Sequence, residues 1–501
     1  MKKYIYQFIH FSFLVIFLFV NFVILFNHVK INVTLSFLFN NNILILFGGL
    51  ILIILIFLLQ KMKIKLSDKS LLIILSLILF AFELFVTINA LFRSGWDVGM
   101  IYDAAYSNVF DKYPKISFDA SKSYFEAYPN NILLLLYEMF FAFITRSISK
   151  GPKTLSFILV FNNCLIFTIV GVMVYLCTKK IVNNRKMAFL SWIIYAILIG
   201  TSSWFLVPYS DSIGLLFPML ILFVYLYFNK KIYFKIFLLS LISFIGYQIK
   251  PQILIIFISI IGFEFLDFFD KKLSKDSLVK LGKKLVIVIL TYLLVTMPIS
   301  YIKNDVMELD SNKKIGLTHF LMMGLNEETN GVWSGSDVSF STSFPNRELR
   351  TKNNLEECKK RLNNLKFSGT VKHLRNKILV NFNDGTFFFG EEGSFYVSYY
   401  WNEFRMNRFV TDFAYSTGKY YIYVSSIRHA VWLFILLLLL FCYSKKNNRE
   451  ISVIQLSLIG LVLFEILFEA RSRYLFIYVP YFIILAILAI NKIMLKLGME
   501  E

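Results

Sequence analysis

Apolar runs of about 20 residues, the length a helix needs to span a bilayer, recur along the whole chain and are separated by short basic links. No other feature narrows the fold so far. By hydropathy the runs are 4–27, 43–60, 70–92, 129–146, 154–177, 187–206, 212–229, 233–249, 251–269, 284–301, 427–443, 451–468 and 474–491. A soluble core would need helices apolar on every side, repeated about a dozen times. The chain is 57% hydrophobic and only 17% charged, so the bilayer is the better solvent. The expectation is an all-α polytopic membrane protein of about 12–13 transmembrane helices.

The formal net charge of +20 would point to nucleic acid in a soluble protein. Here the lysines sit in links such as "KMKIKLSDK" (61–69), "KKLSKDSLVKLGKK" (271–284) and "SKKNNR" (444–449). That is the pattern of cytoplasmic loops, and anionic head groups favour it further. Nucleic acid is therefore not an expected partner; the lipid bilayer is. Lys2, Lys3, Lys492 and Lys496 place both termini inside with these links. The regions 93–128, 202–211, 302–426 and 469–473 then fall outside. Thirteen crossings cannot leave both termini on one side. The conflict lies between 129 and 186, where "TRSISKGPK" and "TKKIVNNRK" are both basic. One of the runs 129–146 and 154–177 fails to cross or lies shallow.

Three regions follow: a membrane module, 1–301, with its first outer loop at 93–128; a long outer loop region, 302–426; and C-terminal membrane helices, 427–501. The long loop reads as a small helical insertion, with helical polarity in "NNLEECKKRLNNL" (353–365) and aromatics crowding 382–401. Four cysteines imply no disulfide framework, and five scattered histidines show no metal-ligand spacing. The first run reads as a signal anchor. The sequon-like "NVT" at Asn32 reads as a chance match, and no internal repeat supports a repeat-built transporter.

The outer regions collect unusual charged groups. "GWDVGMIYDAAYSNVF" puts Asp97 and Asp103 just past the end of a span, and "VPYSDSIG" puts Asp211 at the mouth of another. "GYQIKPQIL" holds Lys250 within a long apolar stretch, where an ammonium costs about 3 kcal/mol unless it lines a cavity or turn. "LFEARSRYLF" adds Glu469, Arg471 and Arg473. Acids and bases from distant parts of the chain thus meet on one face. A carboxylate there can take a proton from an attacking hydroxyl, while Lys and Arg can hold a departing phosphate. Together they describe group transfer from a lipid phosphate to an acceptor outside the membrane. Each residue also has a plainer reading. Asp97 and Asp103 can mark a helix end in solvent, and Asp211 can be an N-cap. Lys250 can anchor an outer loop, and Arg471 and Arg473 can reach phospholipid head groups.

The ordering resembles the GT-C glycosyltransferases that use polyprenyl-phosphate sugars, and within them the protein O-mannosyltransferases and lipid A aminoarabinose transferases. The matching pieces are an acid in the first outer loop, Asp97 of "SGWDVGMIYDAA", and an aromatic–Pro helix start at Tyr128 in "FEAYPNNILLLLYEMFF". Further along come the "YSD" turn at Tyr209–Asp211, the long outer loop 302–426 and "RSRYLFIYVPYFI". The His-Pro-Pro motif of the mannosyltransferases and the "WWDYG" motif of oligosaccharyltransferases are missing. The resemblance implies a GT-C-like bundle with its active site on the extracytoplasmic face of the cell membrane. Asp97 would be the general base. Lys250, Arg471 and Arg473 would bind the donor phosphate, with Asp103, Tyr128, Asp211 and Glu469 lining the substrate site. The implied reaction inverts the anomeric centre and requires no cofactor, though acid pairs leave room for a divalent cation.

The wealth of Ile, Lys, Phe and Asn suggests an AT-rich bacterial genome, and so a cell-wall or lipid-linked glycopolymer as acceptor. Two other classes stand beside this reading. A transporter or flippase for a lipid-linked sugar would want charges near mid-membrane. A glycan ligase or polymerase would place paired arginines in a long outer loop.

Overall fold

The computed structural model describes residues 2–26, 37–63, 65–228, 231–270, 275–400, 405–442 and 448–498. Asn32 of the sequon-like stretch, residues 271–274 of one basic link and 444–447 of another lie outside the described residues. The chain is all-α and polytopic. The N-terminal half holds α1 (Lys2–Phe26), α2 (Asn41–Lys61), α3 (Asp68–Ala90), β1 (Phe92–Arg93), α4 (Trp96–Tyr106), α5 (Lys122–Ala127), α6 (Ile132–Arg146), α7 (Pro152–Val182), α8 (Arg185–Tyr195), α9 (Ser210–Gly214), α10 (Leu216–Tyr227) and α11 (Ile232–Ile249). Then come α12 (Leu254–Asp270), α13 (Lys275–Tyr301), α14 (Leu317–Gly324), α15 (Gly335–Thr342), α16 (Arg347–Phe382), β2 (Ser398–Tyr399), α17 (Arg405–Ala414), α18 (Tyr421–Leu438), α19 (Arg449–Leu467) and α20 (Val479–Lys496). Among the described residues, ten helical segments are long and apolar enough to cross a membrane. In hydrocarbon each backbone N–H and C=O needs a partner within its own segment, and a continuous helix supplies one. At the ends, side chains take over: Asn40, Ser67, Asn184 and Asn448 each accept a bond from a first-turn N–H.

Contacts between loops define two faces. On one, Asp68 at the start of α3 pairs with Lys179 and Arg185. The ends of α2, α7 and α20 meet there around a shared cleft. Lys492 donates to the Cys442 carbonyl at 3.0 Å, and Glu264 joins Lys284 to Arg449. On the other face, Tyr102 and Tyr106 of α4 donate to the carbonyls of Pro152 and Lys150, each at 2.6 Å. Helix α7 therefore runs from the Asp97 face to the Asp68 face.

This settles the parity conflict. Helix α6 starts just after Tyr128, and its last residue, Arg146, lies 4.2 Å over the ring of Tyr113 in the Asp97-face loop. Both of its ends are on the Asp97 face. The run 129–146 is the one that does not cross, and 154–177 does. Its 15 residues rise about 22 Å, short of the hydrocarbon core of about 30 Å. It also bends by 111° from the preceding helix at Pro129. Twelve of the expected thirteen runs remain as crossings, an even number that leaves the start of α1 and the end of α20 on the Asp68 face. Two of the twelve are short: α8 with its extension over 196–200, and α12 with its lead-in over 251–253.

Residues 302–400 and 405–420 cap the Asp97 face. The backbone of α16 breaks at Lys366 (φ 50°, ψ −172°). Its last turns then sink among the spans, where Lys377, Asn381 and Phe382 are buried. The Lys377 ammonium donates to three carbonyls: Gly324 at 2.9 Å, Ile466 at 2.7 Å and Phe468 at 2.5 Å. It thereby ties α14 and α16 to the end of α19, where a cation also suits the helix dipole. Gly324 has to be glycine, since an added Cβ would sit 2.5 Å from the Phe468 carbonyl oxygen. Strand β1 pairs antiparallel with β2, and Gly95 donates to the Ser394 carbonyl at 2.8 Å. These bonds draw the segment 384–397 over the first residues of α4.

Candidate functional site

Asp97 is the second residue of α4, in the first turn, where a helix favours negative charge. It is half-buried. Tyr209 donates to its Oδ2 at 3.1 Å, and Tyr124 is a second phenol partner. Asn131 in turn donates to the Tyr124 oxygen at 2.7 Å. Burial raises the Asp97 pKa above the usual carboxylate range, opposed by the Arg473 charge and the two phenols. Tyr128 is also half-buried and feels the charges of Asp97 and Glu469. Burial first, and then those two acids, push its phenol up to about 12.

Beside Asp97 lies a chain of buried ion pairs. Asp211, in the short α9, is fully buried. Lys250 pairs with its Oδ1, and Arg473 donates to its Oδ2 at 3.0 Å. Lys250 can reach because the residue before a proline is pushed to extended backbone, here φ −152° and ψ 118°. Its ammonium lies 4.9 Å over the Tyr474 ring. The Arg473 guanidinium is 5.0 Å over Trp96, 5.6 Å over Tyr209 and 5.1 Å over Tyr474. Its Nε is 3.0 Å from Glu392. The other oxygen of Glu392 pairs with Arg471. Arg471 donates to Glu469 at 2.9 Å, and Tyr474 donates to the second Glu469 oxygen at 2.9 Å.

Of the residues singled out from sequence, Asp97, Tyr128, Asp211, Lys250, Glu469, Arg471 and Arg473 thus gather on one face. Asp103 does not join them. It is six positions beyond Asp97, about 240° around α4. It is exposed and paired with Arg93. The expected open cationic cradle is also altered. Each of Lys250, Arg471 and Arg473 already carries a carboxylate, because charges held this deep are destabilising unless paired.

The sequence reading passed over Glu392, which bridges the two arginines, along with Tyr124, Trp96 and Tyr474. For Glu392 a signal existed: "GEEG" is the sole acidic pair in the aromatic stretch 382–401. Glu465, in the last turn of α19, was also missed. It is fully buried near Lys250 and Lys377, and neither carboxyl oxygen has a hydrogen-bond partner. Among the described residues no three His, Cys, Asp or Glu side chains gather closely enough to hold a metal ion.

Fold and site together define an integral, multi-pass membrane protein with a buried ion-pair cluster at one face. The chain belongs to the family described as conserved hypothetical integral membrane protein, whose model matches residues 1–494. Among curated proteins none matches the sequence.

Proposed function

We propose that this protein is a membrane glycosyltransferase that moves a sugar from a polyprenyl-phosphate donor to an extracytoplasmic acceptor, a cell-wall or lipid-linked glycopolymer. One observation carries the reading. The carboxylate of Asp97 is joined through Tyr209 and Trp96 to Arg473, and Arg473 shares Asp211 with Lys250 and Glu392 with Arg471. A proton acceptor and three cations are thus contiguous at one membrane face. The basic links at the opposite face put that face inside by the positive-inside rule, which leaves Asp97 outside.

In this mechanism Asp97 takes the proton of the acceptor hydroxyl as its oxygen attacks the anomeric carbon. The bond from that carbon to the phosphate oxygen breaks, and the polyprenyl phosphate leaves with the electron pair. Attack opposite the leaving group inverts the anomeric centre. Arg471 and Arg473 stabilise the charge that grows on the phosphate, which takes over their contacts from Glu392. The pKa of Asp97, raised by burial, makes it a stronger base than an ordinary aspartate.

The test is transfer in membranes supplied with defined polyprenyl-phosphate sugars. Asp97→Asn, which keeps the shape and removes the base, should lower the rate about 10²–10⁴-fold, the usual worth of a general base. In the wild type, kcat/KM should rise with pH through the elevated Asp97 pKa and then level off. Normal transfer by a folded Asp97→Asn protein would refute the base assignment.

A further inference from the structure

We propose that the cleft between the ends of α2, α7 and α20, on the face opposite Asp97, binds the head group of an anionic phospholipid. The cleft measures about 710 Å³, the size of a small-molecule pocket and enough for a head group but not for whole acyl chains. Its lining is divided. Leu59 and Met494 form an apolar wall, while Gln60, Asn183 and Asn491 supply carboxamides and Lys186 an ammonium. No carboxylate lines it. Among the described residues, the side chains of Gln60, Lys186 and Asn491 make no hydrogen bond or ion pair with the protein.

The acid at the start of α3, Asp68, is already held by Lys179, Arg185 and the Tyr175 hydroxyl. Lys186 is half-buried, and no carboxylate in the cleft neutralises it. Its complement is a phosphate, with the carboxamides donating to the remaining phosphate and glycerol oxygens. Helix α2 also exposes Ile53, Ile54, Phe57 and Leu58, one to two turns from the cleft. Acyl chains anchored by the head group would lie along that surface. A free phosphate has no use for such a surface, so the occupant is a lipid. This site is independent of the glycosyltransferase reading.

The experiment purifies the full-length chain in mild detergent with equal phosphatidylglycerol and phosphatidylcholine, then counts retained lipids by native mass spectrometry. Wild type should hold phosphatidylglycerol in preference. Lys186→Gln should reduce that retention about five-fold, the effect of one lysine near an anionic leaflet. Lys61→Gln, an exposed neighbour outside the cleft, should leave it unchanged. Equal retention of the two lipids by wild type would overturn the proposal. So would unchanged retention by Lys186→Gln, or an equal loss in both variants.

Discussion

Each face of the molecule holds an aspartate at a helix start with two cations on it. Asp211 has Lys250 and Arg473; Asp68 has Lys179 and Arg185, with the Tyr175 hydroxyl donating at 3.0 Å. The groups match, but the settings do not. The Asp211 side chain is 0% exposed and its partners 5% and 8%, while the Asp68 side chain is 28% exposed with partners at 41% and 32%. Water screens the second cluster, so it contributes little beyond positioning α7 and α8 against α3. The first cluster has lost its hydration, and its members hold one another in place. Of the two clusters, only this one holds its ionised groups away from water.

The comparison can be broken by neutralising each aspartate in turn. Asp211→Asn leaves Lys250 and Arg473 buried with too little counter-charge. It should cost about 3–5 kcal/mol, read as a large fall in thermal stability of the detergent-solubilised protein. A modest fall would mean that water or lipid phosphate reaches the cluster. Glu392→Gln comes next, because it sharpens what the buried cluster is for. If donor phosphate must displace the Glu392 carboxylate, removing that charge should lower the donor KM about ten-fold, since a hydrogen bond to a charged group is worth about 1.5–3 kcal/mol. A raised KM would instead make Glu392 a donor-binding group. The smallest effect belongs to Asp68→Asn, expected at about 1 kcal/mol or less and fading further in high salt. A loss as large as that of Asp211→Asn would erase the distinction between the two faces.

Some of this was legible in the residues. Lys250, Arg471 and Arg473 stand out because cations are rare within apolar stretches, and Asp97 because it follows a span directly. Asp103 was expected to line the same site as Asp97, yet six helical positions turn it about 240° around α4, where it meets Arg93. The failure of 129–146 to cross could be sensed only as a parity error. Its apolar residues serve equally well for packing on α4 and α7 as for facing lipid. The target of Glu392 was hidden because an acid in a loop has no periodicity to reveal it. The same holds for Tyr124, which reaches Asp97 only after α5 and α6 have folded back beside α4.

By itself the sequence determined the helical character, the approximate number of crossings and which links share a side. Those properties depend on the length of a local apolar run and on local charge, and the bilayer reads both one segment at a time. The tertiary structure alone decided who partners whom. Asp211 and Arg473 are 262 positions apart, and the bonds from β1 and Gly95 bring Glu392 to the arginines. Whether a charged group is free to bind or already neutralised depends on such long-range pairs. Burial makes that pairing compulsory, and no local pattern records it.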